Sequence, residues 1–123
     1  MTAGLPMVLL KDGKPRATIG APGGRRVISS LIHCVVNLVD HGMGPQQALN
    51  APRVHSESER TEADIRLGEQ TIEGLRKLGH DVKVQEESFS SSYFGRPNGI
   101  VVDDDNILHA GVNALKPAMA LGI

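Results

Sequence analysis

The chain has 123 residues, 13 Lys and Arg against 14 Asp and Glu, a formal net charge of −1 and 40% hydrophobic residues, with two Phe, one Tyr and no Trp. That balance removes the electrostatic footprint expected of a nucleic-acid or anionic-membrane binder, and no apolar run approaches the roughly 20 residues of a membrane span. A single Cys leaves neither an internal disulfide nor a multi-cysteine metal site, and no secretory pattern marks the N-terminus, so the chain reads as a soluble, cytoplasmic domain or a piece of a larger protein.

In chain order, Met7–Leu10 and Arg16–Ile19 flank Lys11-Asp12-Gly13-Lys14-Pro15, and Asp-Gly between two such runs predicts a hairpin. After Ala21-Pro22-Gly23-Gly24 a helix is expected from about Arg25 to Asp40. Val27, Leu31, Val35 and Leu38 hold one face, while Ile28, Ile32, Val36 and Val39 widen it until cover on both sides is expected. Pro45 opens a short second helix and Pro52 follows its end. The polar stretch after it holds short strands near Arg53–Ser56 and Asp64–Leu67. Ile72, Leu75 and Leu78 mark a third helix stopped by Gly79, and Val82–Gln85 a strand. Residues 86–98 form a Ser- and Gly-rich loop, and 99–102 with 107–111 close the chain as a hairpin about Asp103–Asn106. Strands outnumber helices and several come as hairpins, so the class is α+β with a mostly antiparallel sheet, in one domain over 1–123.

Gly23-Gly24 carries two readings. Glycine permits positive φ in a tight turn that Pro22 presets. Two residues without side chains at a helix N-terminus also present bare N–H groups, aided by the helix dipole, to a phosphate, a carboxylate or a transient oxyanion. No P-loop Lys-Ser/Thr and no G-x-G-x-x-G is present, which disfavours a nucleotide cradle. Arg25 and Arg26 sit in the first turn, where cations oppose the dipole, so an anion-related role competes with surface ion pairing. Arg53 reads as a partner for a carboxylate, in a ligand or in an inter-element salt bridge. His33, His41, His55, His80 and His109 show no ligand spacing, so no metal or other cofactor is expected. Asp103-x-Asp105 lacks the Gly and Glu of a calcium loop and reads as a solvated turn. Cys34 reads as a small buried hydrophobe, and Ser90-Ser91-Ser92 as loop.

Taken together, "PMVLLKDGKP", "GAPGGRRVI", "NLVDHGMGPQQALNAPRVH", "IRLGEQTIEGLRKLGHDVKV" and "FGRPNGIVV" resemble the C-terminal portion of the small subunit of gamma-glutamyltranspeptidases. The resemblance implies part of an αββα N-terminal-nucleophile hydrolase sandwich. It also implies chemistry in which a precursor cuts itself, a Thr heads the small subunit, and that Thr attacks a gamma-glutamyl amide such as glutathione with its own α-amine as base. By this match Gly23 and Gly24 supply the oxyanion hole. The family's nucleophile lies upstream of the first hairpin, which implies a missing nucleophile-bearing portion or large subunit, or a homo-oligomer, as partner. The family's Ser-Ser pair at the substrate carboxylate corresponds to Thr2-Ala3, and Arg25 stands where the family has a small hydroxyl residue, so Thr2, Ala3, Arg25 and Arg26 are the candidate substrate contacts. Loss of Met1 would make Thr2 an N-terminal threonine, but the match puts it at a binding position. The rival readings are a non-catalytic carboxylate-binding module and a pseudoenzyme fragment.

Overall fold

The computed structural model describes residues 4–115 and 117–119. Strands β1 (Gly4–Lys11) and β2 (Lys14–Pro22) form the expected hairpin. Its two loop residues, Asp12 and Gly13, have φ of 53° and 74°, the paired positive values of a type I′ turn, whose twist matches that of the flanking strands. Helix α1 (Arg26–Val39) follows directly, then α2 (Pro45–Asn50), β3 (Val54–Glu57), β4 (Arg60–Asp64), α3 (Glu69–Lys77), β5 (Asp81–Gln85), β6 (Asn98–Val102) and β7 (Leu108–Gly111).

Two sheets result, one of order β1-β2-β6-β7 and one of order β3-β4-β5. All pairs are antiparallel except β4–β5, which is parallel and therefore needs a crossover, supplied by α3. The period-2 pattern of β2 turns Ala17, Ile19 and Ala21 inward. Ile19 and Ala21 meet Val27, Leu31 and Cys34 of α1 and Leu49 of α2 in the larger core. Ala63, Ile72 and Val82 form a second core between α3 and the small sheet.

Two expectations differ from the structure. Residues Ile65–Leu67 form a 3-10 turn and the strand comes earlier, at Arg60–Asp64. The Asp64 carboxylate accepts the Arg66 N–H at 3.0 Å, a local bond that curls the chain out of the ladder. Helix α1 is covered on one side only by the described residues, since Ile28 and Ile32 are 60% and 53% exposed. On the larger sheet Val8, Leu10, Ile100 and Leu108 are exposed as well. No helix among the described residues is long and apolar enough to cross a membrane.

Candidate functional site

Strand β2 delivers the chain to Pro22, and the next two residues have φ of +143° at Gly23 and +60° at Gly24, backbone that L side chains rarely adopt. The turn leads straight into α1. Arg26 N–H donates to the Gly23 carbonyl at 3.3 Å and Val27 N–H to the Gly24 carbonyl at 3.2 Å. Among the described residues the N–H groups of Gly23 and Gly24 themselves find no acceptor. Both residues line a cleft of about 380 Å³ together with Pro22, Arg26, Ser92, Phe94 and Arg96. Successive backbone amides in a turn, at the positive end of a helix, form a concavity suited to negative charge.

The loop after β5 straps this turn in place. Arg96 N–H donates to the Pro22 carbonyl at 3.1 Å, Gly95 N–H to Ser30 Oγ at 2.9 Å, and Arg53 Nη1 to the Gly95 carbonyl at 2.7 Å. Arg53 Nη2 donates in addition to the Leu49 carbonyl. Arg53 is 3% exposed. Its guanidinium thus ties α2 to the strap, and it bonds backbone oxygens where the sequence suggested a carboxylate. The fit is close enough that a Cβ on Gly95 would lie 2.9 Å from Ser30 Oγ and 3.1 Å from the Arg26 carbonyl oxygen. Gly95→Ala is therefore expected to lower stability by about 1–3 kcal/mol, the cost of overpacking a tight contact, read as a shift in the urea midpoint. A midpoint equal to wild type would show that the strap yields freely.

The first turn of α1 is held from the other side by the small sheet. Arg25 pairs with Glu57, and Arg26 with Glu62 at 3.1 Å, a carboxylate that also accepts from Gln85 Nε2 at 3.1 Å. Ser29 Oγ lies 2.9 Å from His55 Nδ1. The two cations that would oppose the helix dipole thus have carboxylate partners within the chain, and Arg26 lines the cleft as well. Thr2 and Ala3 lie outside the described residues. The sequence marks Ser92 and Arg96 only as loop, and the FGRP stretch carries no period or ligand spacing that points to the cleft.

Behind the strap, burial pushes the Cys34 thiol up, with Arg53 opposing, as fits a buried packing residue. Burial, then the positive charge of Arg53, pushes the His33 imidazole down from its ordinary 6.5. The folded state therefore prefers neutral His33, while the unfolded chain takes up the proton first as pH falls. The His33 contribution is complete above about pH 6.5 and declines below it. The stability difference between wild type and His33→Gln, followed by urea unfolding from pH 7.5 to 5, is expected to move against wild type as pH falls. A pH-independent difference would contradict this.

With this geometry in hand, the relatives are informative. The model of the family described as gamma-glutamyltranspeptidase matches residues 1–123. An acylase ACY 1 proenzyme of Pseudomonas sp. (strain SE83) is 37% identical over 81 residues, covering 66% of this chain and 14% of the relative. A glutathione hydrolase proenzyme of Escherichia coli (strain K12) is 32% identical over 106 residues, covering 85% of this chain and 17% of the relative. The chain thus spans less than a fifth of either. The structure of gamma-glutamyltranspeptidase from Pseudomonas nitroreducens complexed with L-DON superposes with a TM-score of 0.81 at 20% identity, over all of this chain and 63% of that one, which establishes the shared fold.

Proposed function

Because the chain belongs to the gamma-glutamyltranspeptidase family, we propose that it supplies the oxyanion hole of gamma-glutamyl transfer or hydrolysis, with the N–H groups of Gly23 and Gly24 as donors. In this reading a threonine hydroxyl, supplied by chain outside these 123 residues, attacks the gamma-carbonyl of a compound such as glutathione. The α-amine of that threonine takes the hydroxyl proton. Charge gathers on the carbonyl oxygen, and two backbone donors with the α1 dipole behind them offset it most at the transition state. Collapse expels the amine, which leaves with the proton held on the threonine α-amine, and an acyl-threonine ester remains. Water, or the amino group of an amino acid or peptide, then attacks the ester across the same oxyanion site. It gives up a proton to the α-amine and from it to the departing threonine oxygen, and so frees the threonine hydroxyl together with the acid or the new amide.

The observation that carries this reading is the pair of uncommitted amides lining an open cleft. The apolar faces around Ile28 and Ile32 on α1 and around Val8 and Leu108 on the sheet favour association with a nucleophile-bearing portion, because patches of this kind mark interaction surfaces. Co-production of this chain with such a portion, assayed by hydrolysis of gamma-glutamyl p-nitroanilide, tests it. Turnover is expected from the assembly and not from the isolated chain, and Gly24→Val should remove turnover while the assembly still forms. An assembly equally active with Gly24→Val would rule the reading out, whereas binding of glutamate without turnover would favour a binding module without catalysis.

A further inference from the structure

Four arginines belong to the Gly23-Gly24 turn, the start of α1 and the strap that holds them, and they differ in what offsets their charge. Arg25 pairs with Glu57 and Arg26 with Glu62. Arg53 is sealed in the interior on two backbone carbonyls. Arg96 lines the cleft beside Arg26, and among the described residues its guanidinium meets only neutral acceptors, the Ser91 carbonyl at 3.3 Å and the Ser92 hydroxyl. Both bonds leave from Nη2, so Nε and Nη1 take no acceptor among the described residues. A guanidinium offers five donors in a planar fork that matches a carboxylate.

Arg96 is also well placed and well held. Its backbone N–H is fixed to the Pro22 carbonyl, one residue from Gly23. Its neighbour Phe94 is 2% exposed and anchors the loop, and Ser92 steadies the far end of the side chain. The cleft is therefore lined by the neutral amides of Gly23 and Gly24 and by two cations, Arg26, offset by Glu62, and Arg96, which has no carboxylate partner among the described residues.

We propose that Arg96 is the specificity-determining residue of this cleft, binding a carboxylate on the ligand whose carbonyl oxygen approaches Gly23 and Gly24. The inference rests on the oxyanion-hole reading of those two glycines. The ligand class is a short acyl compound with one free carboxylate and one amide, preferred over its neutral analogue. A charge-assisted fork discriminates strongly between the two, because the neutral amide cannot accept from the guanidinium as a carboxylate does.

The test is an NMR-monitored titration of the 123-residue chain with glutaramate, which carries one carboxylate and one amide, and separately with glutaramide, which carries two amides. Glutaramate is expected to shift the Gly23 and Gly24 backbone amides and the Arg96 Nε–H signal saturably. Arg96→Gln should weaken glutaramate roughly tenfold, the weight of one charge-assisted pair, and leave glutaramide unchanged. Arg96→Lys, which keeps the charge and loses the fork, should fall between; it carries the test if Arg96→Gln does not fold. Glutaramate affinity within twofold of wild type in a folded Arg96 variant, with the glycine amides still shifting, overturns the role of Arg96 and leaves the oxyanion reading standing. Glycine amides that stay unmoved at saturation overturn both.

Discussion

On the proposed oxyanion-hole reading, Gly23→Ala is expected to lower kcat for gamma-glutamyl amide cleavage by about 100-fold or more in an assembly that supplies the threonine, the loss typical of a disturbed oxyanion hole. The new Cβ would stand 3.0 Å from the Gly95 Cα, backbone against backbone, with no flexible side chain to give way. The φ of +143° adds strain that only glycine avoids. Either the turn rotates or the strap of Phe94–Arg96 retreats, and both displace the Gly23 and Gly24 amides from the narrow donor distance an oxyanion requires. Gly24→Ala is the informative contrast. Its Cβ meets nothing within 4 Å, so only the left-handed φ of +60° opposes it, at about 1–2 kcal/mol. Its kcat loss should be roughly tenfold, clearly smaller than that of Gly23→Ala. Equal and small losses at both positions would mean that the amides are not the donors.

Arg53→Met destabilises the fold by about 3 kcal/mol, read by urea unfolding, because it strips partners from buried backbone oxygens. The carbonyls of Gly95 and Leu49 both depend on this guanidinium, and neither gains a replacement from a thioether. Burial already holds the Arg53 pKa below the usual arginine value, so part of the bond energy is offset by desolvation and the net loss stays moderate. Because Arg53 holds the strap, the same substitution should raise amide exchange at Gly95 and Arg96 more than at Ile72 and Val82 in the second core. A uniform rise would reduce Arg53 to a general packing residue.

Much of this architecture was legible in the residues themselves. The Asp12-Gly13 turn, the apolar spacing of α1 and the Pro45 start of α2 are local signals, and each decided its element. The 3-10 turn at Ile65–Leu67 was not, because the Asp64–Arg66 bond that curls it competes with a strand pattern of similar strength. The parallel pairing of β4 with β5 also escaped, since register between strands separated by a helix leaves no trace in their composition. At the site, the glycine pair was visible by its type and position. The strap was not: Gly95 and Arg96 lie far in sequence from Ser30 and Pro22, which they bond, and only the folded chain brings Gly95 against Gly23. The pairing of Arg25 and Arg26 with Glu57 and Glu62 was equally hidden, because neither carboxylate stands at helical or cross-strand spacing from its arginine.

The most direct test is a crystal structure of the assembled protein with its threonine trapped as a tetrahedral adduct of a gamma-glutamyl analogue. The adduct's oxyanion should lie about 2.7–3.1 Å from the nitrogens of Gly23 and Gly24. An oxyanion held by other donors, with those two nitrogens facing solvent or bonded within the chain, would contradict it.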